Sequence, residues 1–94
     1  MWVYAQVSDM NLSRDEQRVL HVLAQGGYIR HKRDHRSRIS HVDCFTRDGY
    51  VLGDCTLAVF AKLRRKRLVE SRNGDPYRIS RKGRAFVRPQ PNNR

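Results

Sequence analysis

Apolar residues at Leu12, Val19, Leu20, Leu23 and Ala24 recur at the spacing of one helix face, and Gly26-Gly27 ends the run. Ser13 precedes Arg14-Asp15-Glu16, so Ser13 and Glu16 fit a capping box, with both acids in the first turn where the helix dipole favours them. This predicts a helix over 14–25. Residues 28–33 and 38–45 are rich in β-formers and flank the polar stretch Asp34-His35-Arg36-Ser37, which predicts a hairpin over 28–45. Arg47-Asp48-Gly49 reads as a turn, and Tyr50-Val51-Leu52 leads to Asp54 as the expected N-cap of a helix over 55–67. On a helical wheel Thr56, Leu57, Val59, Phe60, Ala61 and Leu63 share an apolar arc. Cys55, Ala58, Lys62, Arg65 and Lys66 gather on the other side. Asn73-Gly74 supplies the positive φ angles of a tight reversal, predicting a second hairpin over 68–80. Ser80 is then expected to cap a short helix over 81–87, ended by Pro89 and Pro91.

These elements predict a small α+β domain of about three helices and two β-hairpins. A helix with a basic side, a hairpin tipped by Arg72 and Asn73, and a closing helix follow the order of a winged-helix module, with the 28–45 hairpin standing where a second helix is usual. Residues 1–9 read as an extension, 10–88 as the single domain and 89–94 as a mobile tail.

Charge changes this picture most. The chain has 94 residues with 20 Lys plus Arg against 9 Asp plus Glu, a formal net charge of +11. Residues 1–29 carry only Arg14 and Arg18 among these bases, so the excess lies in the rest of the chain. Arginine outnumbers lysine sixteen to four, which suits multi-donor contacts with phosphates or carboxylates. The expected partner is therefore acidic: nucleic acid or an acidic protein face. Lys62, Arg65 and Lys66 on the second helix, Arg72 and Arg78 on the following hairpin, and Arg30, Lys32 and Arg33 on the first are the expected binding residues. Lys62, Arg65, Lys66, Arg72 and Arg78 are expected to share one concave surface.

Enzyme motifs are missing. The sequence holds no phosphate-binding Gly-rich loop, no H-E-x-x-H and no G-x-S-x-G. His31, His35 and Cys44 are a weak metal set among several bases, and His41 and Cys44 point to opposite faces of one strand. Cys44 and Cys55 read as reduced, packed thiols; no cofactor or metal is expected. No apolar run approaches a membrane span, and a cytoplasmic, non-catalytic binding protein is the expectation.

Several blocks together resemble the YjhX toxin family. They are Met10-Asn11-Leu12-Ser13-Arg14 with Glu16-Gln17-Arg18 and Leu20-His21-Val22-Leu23-Ala24; Gly26-Gly27; Cys44-Phe45-Thr46-Arg47-Asp48-Gly49; Asp54-Cys55-Thr56-Leu57-Ala58-Val59-Phe60; and Asn73-Gly74 with Pro76-Tyr77-Arg78-Ile79. The resemblance implies the toxin of a bacterial toxin–antitoxin pair, a protein that binds DNA topoisomerase I and blocks relaxation of supercoiled DNA. It also implies an acetyltransferase-like antitoxin and brings no catalytic residue with it. The alternative on the residues alone is a winged-helix DNA-binding regulator, and DNA remains a possible further partner on either reading.

Overall fold

In a computed structural model of the chain, which describes residues 12–87, the capping box forms as the sequence dictates. Ser13 Oγ accepts from the backbone N–H of Glu16 at 3.1 Å, and Glu16 Oε1 accepts from that of Ser13 at 2.8 Å. They start helix α1, Arg14–Ala24, whose Val19, Leu20 and Leu23 are buried. Gln25 caps its end, and Gly26 turns the chain at φ 106°. Gly27 then passes so close to Phe45 that a Cβ would lie 2.5 Å from its carbonyl oxygen. That approach fixes where the sheet begins.

Strands β1, Tyr28–Arg33, and β2, Ile39–Phe45, pair antiparallel from Tyr28 opposite Phe45 to Arg33 opposite Ile39, with a register shift between Lys32 and Arg33. Asp34 closes their turn, its Oδ1 accepting from the backbone N–H groups of Arg36 and Arg38. The Arg47-Asp48-Gly49 turn, with Gly49 at φ 95°, brings back strand β3, Val51–Leu52, beside β2. Tyr50-Val51-Leu52 is thus more than a connection, and the first hairpin becomes a three-stranded sheet. Two residues pair, too few for an alternation signal to announce.

Helix α2 is Leu57–Arg65 and its N-cap is Thr56, whose Oγ1 accepts from the N–H of Val59 at 3.2 Å. This corrects the expected start at Cys55 and cap at Asp54. Asp54 instead pairs with Arg18 of α1, which leaves Cys55 outside the helix and lets it turn into the core. Cys55 is buried beside Cys44 rather than lying on a basic face, so the helical wheel placed it wrongly. Arg67, at φ 63°, ends this segment, and β4, Val69–Glu70, pairs with β5, Arg78–Ile79, through the Asn73-Gly74 turn. Ser80 caps α3, Arg81–Ala85: its Oγ accepts from the N–H of Gly83 at 2.9 Å and donates to the carbonyl of Arg67 at 2.7 Å.

The described residues form a small α+β domain of three helices and two antiparallel sheets. Reciprocal hydrogen bonds of 2.8 Å between Ile29 and Tyr77 tie β1 to the second hairpin. The core fills the space between with Leu20, Leu23, Ile29, Phe60, Leu63 and Leu68, and the Phe60 and Tyr77 rings meet edge-on at 4.9 Å. The proposed extension 1–9 and tail 89–94 lie outside the described residues. No helix among the described residues is long and apolar enough to cross a membrane.

Candidate binding surfaces

The fold distributes the expected basic residues over distinct surfaces. Along β1, Ile29 is buried on the inner face, so period-two alternation places Tyr28, Arg30 and Lys32 on the outer one. Directly opposite them on β2 stand Phe45, Asp43 and His41. Tyr28 and Phe45 stack at 5.4 Å, and the Arg78 guanidinium from β5 sits 5.4 Å from the centre of the Tyr28 ring. Arg30 faces Asp43, which also pairs with His41 at 3.0 Å. This face offers a stacked ring pair with Arg78 over one ring, and Arg30 and Lys32 further along the same strand face, an arrangement suited to planar or anionic groups.

A second surface is a cavity of about 310 Å³ at the base of the β4–β5 hairpin, lined by Arg72, Arg78 and Arg84 together with Glu70, Asp75 and Gly27. Its carboxylates offset part of its positive charge. Arg84 is absent from the sequence-predicted set because α3 carries it to the hairpin only through tertiary packing, for which the local pattern holds no signal.

The third surface is an open groove of about 710 Å³ between α2 and the turn end of the β1–β2 hairpin. Arg33 and Arg38 rim it from the hairpin, Arg64 and Arg65 from the helix, and Ile39, Leu57, Phe60 and Ala61 form its floor. Arg33 is held in place by a 2.7 Å hydrogen bond from Nη1 to the carbonyl of Ser37. Arg64 lies 6.0 Å from the centre of the Tyr77 ring. Leu57 remains 43% exposed, and Ala61 one turn later is also exposed, so α2's apolar arc is only partly consumed by the core. Thr56, Leu57 and Ala61 lie on the apolar arc of the helical wheel, yet all three are exposed. Arg38 and Arg64 line this groove but stand outside the set of binding residues expected from the sequence.

On β1, His31 is half-buried on the same face as Ile29. Its Nδ1 is buried with no hydrogen-bond partner, and its ring meets Tyr77 edge-on at 5.1 Å. Burial, and then the charges of Arg33 and Arg64, push its pKa below the ordinary histidine value.

Lys66 belongs to none of these surfaces. Its Nζ donates to Glu16 Oε2 at 2.9 Å, joining α2 to α1 inside the fold. Lys62 is exposed on α2 but does not line the groove that Arg65 does. The expected concave surface holding Lys62, Arg65, Lys66, Arg72 and Arg78 together is therefore divided: Arg65 lines one cavity, Arg72 and Arg78 another, and the two share no lining residue.

The two cysteines are free and buried in the core. The Cys44 thiol is hydrogen-bonded to Cys55, which with burial pushes Cys44 far above the usual thiol range, while the same hydrogen bond lowers Cys55. Among the described residues no three His, Cys, Asp or Glu side chains gather as a metal site. His35 lies exposed in the hairpin turn while Cys44 sits in the core, so the weak His31, His35 and Cys44 set is not brought together.

Comparison with known proteins places this sequence in a family. Residues 10–94 match the model of the YjhX toxin family, described as "Putative toxin of bacterial toxin-antitoxin pair". A UPF0386 protein of Brucella anthropi is 69% identical over 85 residues, covering 90% of this chain and 100% of the relative. One of Beijerinckia indica subsp. indica is 69% identical over the same shares, and one of Rhodospirillum rubrum is 61% identical over 89% of this chain and 93% of its own length. No solved structure is matched. With its match running from Met10 to the last residue, the chain belongs to the YjhX toxin family.

Proposed function

We propose that this protein is a cytoplasmic toxin that binds DNA topoisomerase I and blocks relaxation of supercoiled DNA by occupying the enzyme, with no turnover of its own. Its antitoxin, on this reading, is an acetyltransferase-like protein encoded beside it. The observation that carries the proposal is membership in a family described as toxins of toxin–antitoxin pairs, across 10–94. The motif blocks in the sequence add the topoisomerase and the kind of antitoxin, as implications of the same resemblance.

The surfaces support a role in binding. Arg30, Lys32, Arg72 and Arg78 are exposed on the outer sheet face and second hairpin, Arg33 and Arg65 rim the α2 groove, and Lys62 is free on α2. Guanidinium groups beside stacked rings and apolar floors are the composition of protein-binding surfaces, where arginine and aromatics are enriched and lysine is depleted.

Plasmid relaxation with purified topoisomerase I tests the reading. Inhibition should saturate at a fixed ratio of toxin to enzyme. Inhibition that grows with time at trace toxin would replace it with a catalytic mechanism.

A second reading is a winged-helix DNA-binding regulator. The β4–β5 hairpin favours it, since it follows α2 and exposes Arg72 and Arg78 as a wing does. It requires that the protein alone retain a duplex in a gel, with affinity falling steeply as salt rises.

A further inference from the structure

From the α2 groove we infer a docking site for an acidic, amphipathic protein segment that inserts an apolar side chain onto Leu57 and Ala61 and lays carboxylates against Arg33, Arg38, Arg64 and Arg65. On the toxin–antitoxin reading, on which this step rests, that segment belongs to the antitoxin.

Charge complementarity carries the first half of the argument. Four guanidiniums rim one groove and no carboxylate lines it, in contrast to the Arg72 and Arg78 cavity, where Glu70 and Asp75 are present. Such a rim repels itself, and an incoming row of carboxylates relieves that repulsion while accepting bidentate hydrogen bonds. Arg33 is already fixed through its bond to Ser37, so less freedom is lost when an acid binds it.

The floor carries the second half. Leu57, Phe60, Ala61 and Arg64 recur along α2 at the spacing of one helical stripe, and Leu57 is among the few large apolar side chains left exposed. A phosphate backbone gains nothing by covering leucine and alanine. A segment with an apolar side chain flanked by acids gains from both floor and rim, the combination by which amphipathic segments seat in grooves. The floor therefore selects a protein partner over nucleic acid.

The test uses the full-length toxin and the purified antitoxin encoded beside it. Affinity is measured for wild type, for Leu57→Asp, for the double variant Arg64→Glu with Arg65→Glu, and for the control pair Arg72→Glu with Arg78→Glu. Circular dichroism confirms that each is folded. The groove variants should lose about tenfold or more in affinity, as expected for residues at the centre of an interface, while the control pair stays near wild type. Antitoxin binding that persists unchanged in the folded groove variants overturns the inference and leaves the toxin–antitoxin reading intact. Loss of duplex DNA retention in those variants with antitoxin binding preserved overturns it in favour of a nucleic-acid groove. If wild type binds no antitoxin at all, the toxin–antitoxin reading itself fails, and this inference with it.

Discussion

Lys66 Nζ stands 2.9 Å from Oε2 of Glu16, a carboxylate that is 2% exposed, so α2 is tied to α1 by an ion pair rather than by apolar packing alone. Glu16 is spent twice: Oε1 completes the capping box at Ser13 while Oε2 receives Lys66. Burial by itself would raise its pKa. The hydrogen bonds from Ser13 and the bond and charge of Lys66 outweigh that and hold it below the usual carboxylate value.

Removing one partner should therefore cost more than removing both. Lys66→Met strands a buried charge and is expected to destabilise the fold by about 3–5 kcal/mol, the usual size for a broken buried pair. Adding Glu16→Gln keeps an acceptor for Ser13 without the charge, and should recover much of the loss. Urea unfolding of the two singles and the double measures this; equal losses in Lys66→Met with and without Glu16→Gln would show that the pair has no such coupling.

Acid should lower the protein's stability in two steps. His31 and Glu16 both have folded pKa values below their unfolded ones, so each contributes stability that is full above its unfolded value and lost as pH falls. The His31 contribution begins to fade below about pH 6.5 and that of Glu16 below about 4.5, the ordinary values of the two groups. Thermal melts across this range should fall at both steps, with His31→Phe flattening the upper one and leaving the lower.

Gly83 should tolerate no side chain. A Cβ there would collide with the carbonyl oxygen of Leu68 and lie 2.8 Å from Ile79 Cγ1. Gly83→Ala gains helix propensity yet forces α3 off the second hairpin, for a net cost on the order of 1–3 kcal/mol. Denaturant midpoints settle the sign, and a stabilised Gly83→Ala would mean that α3 is free to shift.

The parts of this fold that were legible in the sequence are those encoded locally. Ser13 with Glu16, the Gly26-Gly27 stop, Asn73-Gly74 and the Ser80 cap each depend on neighbours within a few residues, and each forms as expected. The misreadings involve tertiary partners. Asp54 looks like a cap until Arg18 claims it, and Lys66 looks like part of a basic face until Glu16, fifty residues earlier, takes its charge. A helical wheel sorts residues around one axis but does not say which side the rest of the chain covers. For that reason Leu57 and Ala61, on the apolar arc of the wheel, line an open groove instead of the core.

Native thiol chemistry should be slow. Cys44 is fully buried and Cys55 is 7% exposed, and each contacts the other. Reaction with an aromatic disulfide reagent should therefore follow opening of the fold, accelerating as denaturant is added; rapid labelling in native buffer would contradict the buried pair. Cys44→Ala should cost a few kcal/mol at most, about the value of a small cavity and far from the loss of a crosslink.

The proposed binding to topoisomerase I should depend on Arg72 and Arg78 more than on Lys62, and a charge-reversal series can show this only if it spares Lys66. Reversing Lys66 to Glu sets two carboxylates against each other inside the fold, so any lost inhibition would reflect unfolding. Lys62→Glu and the pair Arg72→Glu with Arg78→Glu change exposed side chains without touching that pair. Arg78 has the further distinction of lying over the Tyr28 ring, so its loss alters the outer sheet face as well as the Arg72 cavity. The double reversal should weaken inhibition of plasmid relaxation by about tenfold and flatten its salt dependence, since exposed charges steer association across roughly a Debye length. Arg14→Glu, in the nearly neutral N-terminal third, should leave inhibition near wild type. Inhibition by a folded Arg72 and Arg78 double variant equal to wild type at low and high salt would remove the second hairpin from the interface and direct attention to Arg30 and Lys32.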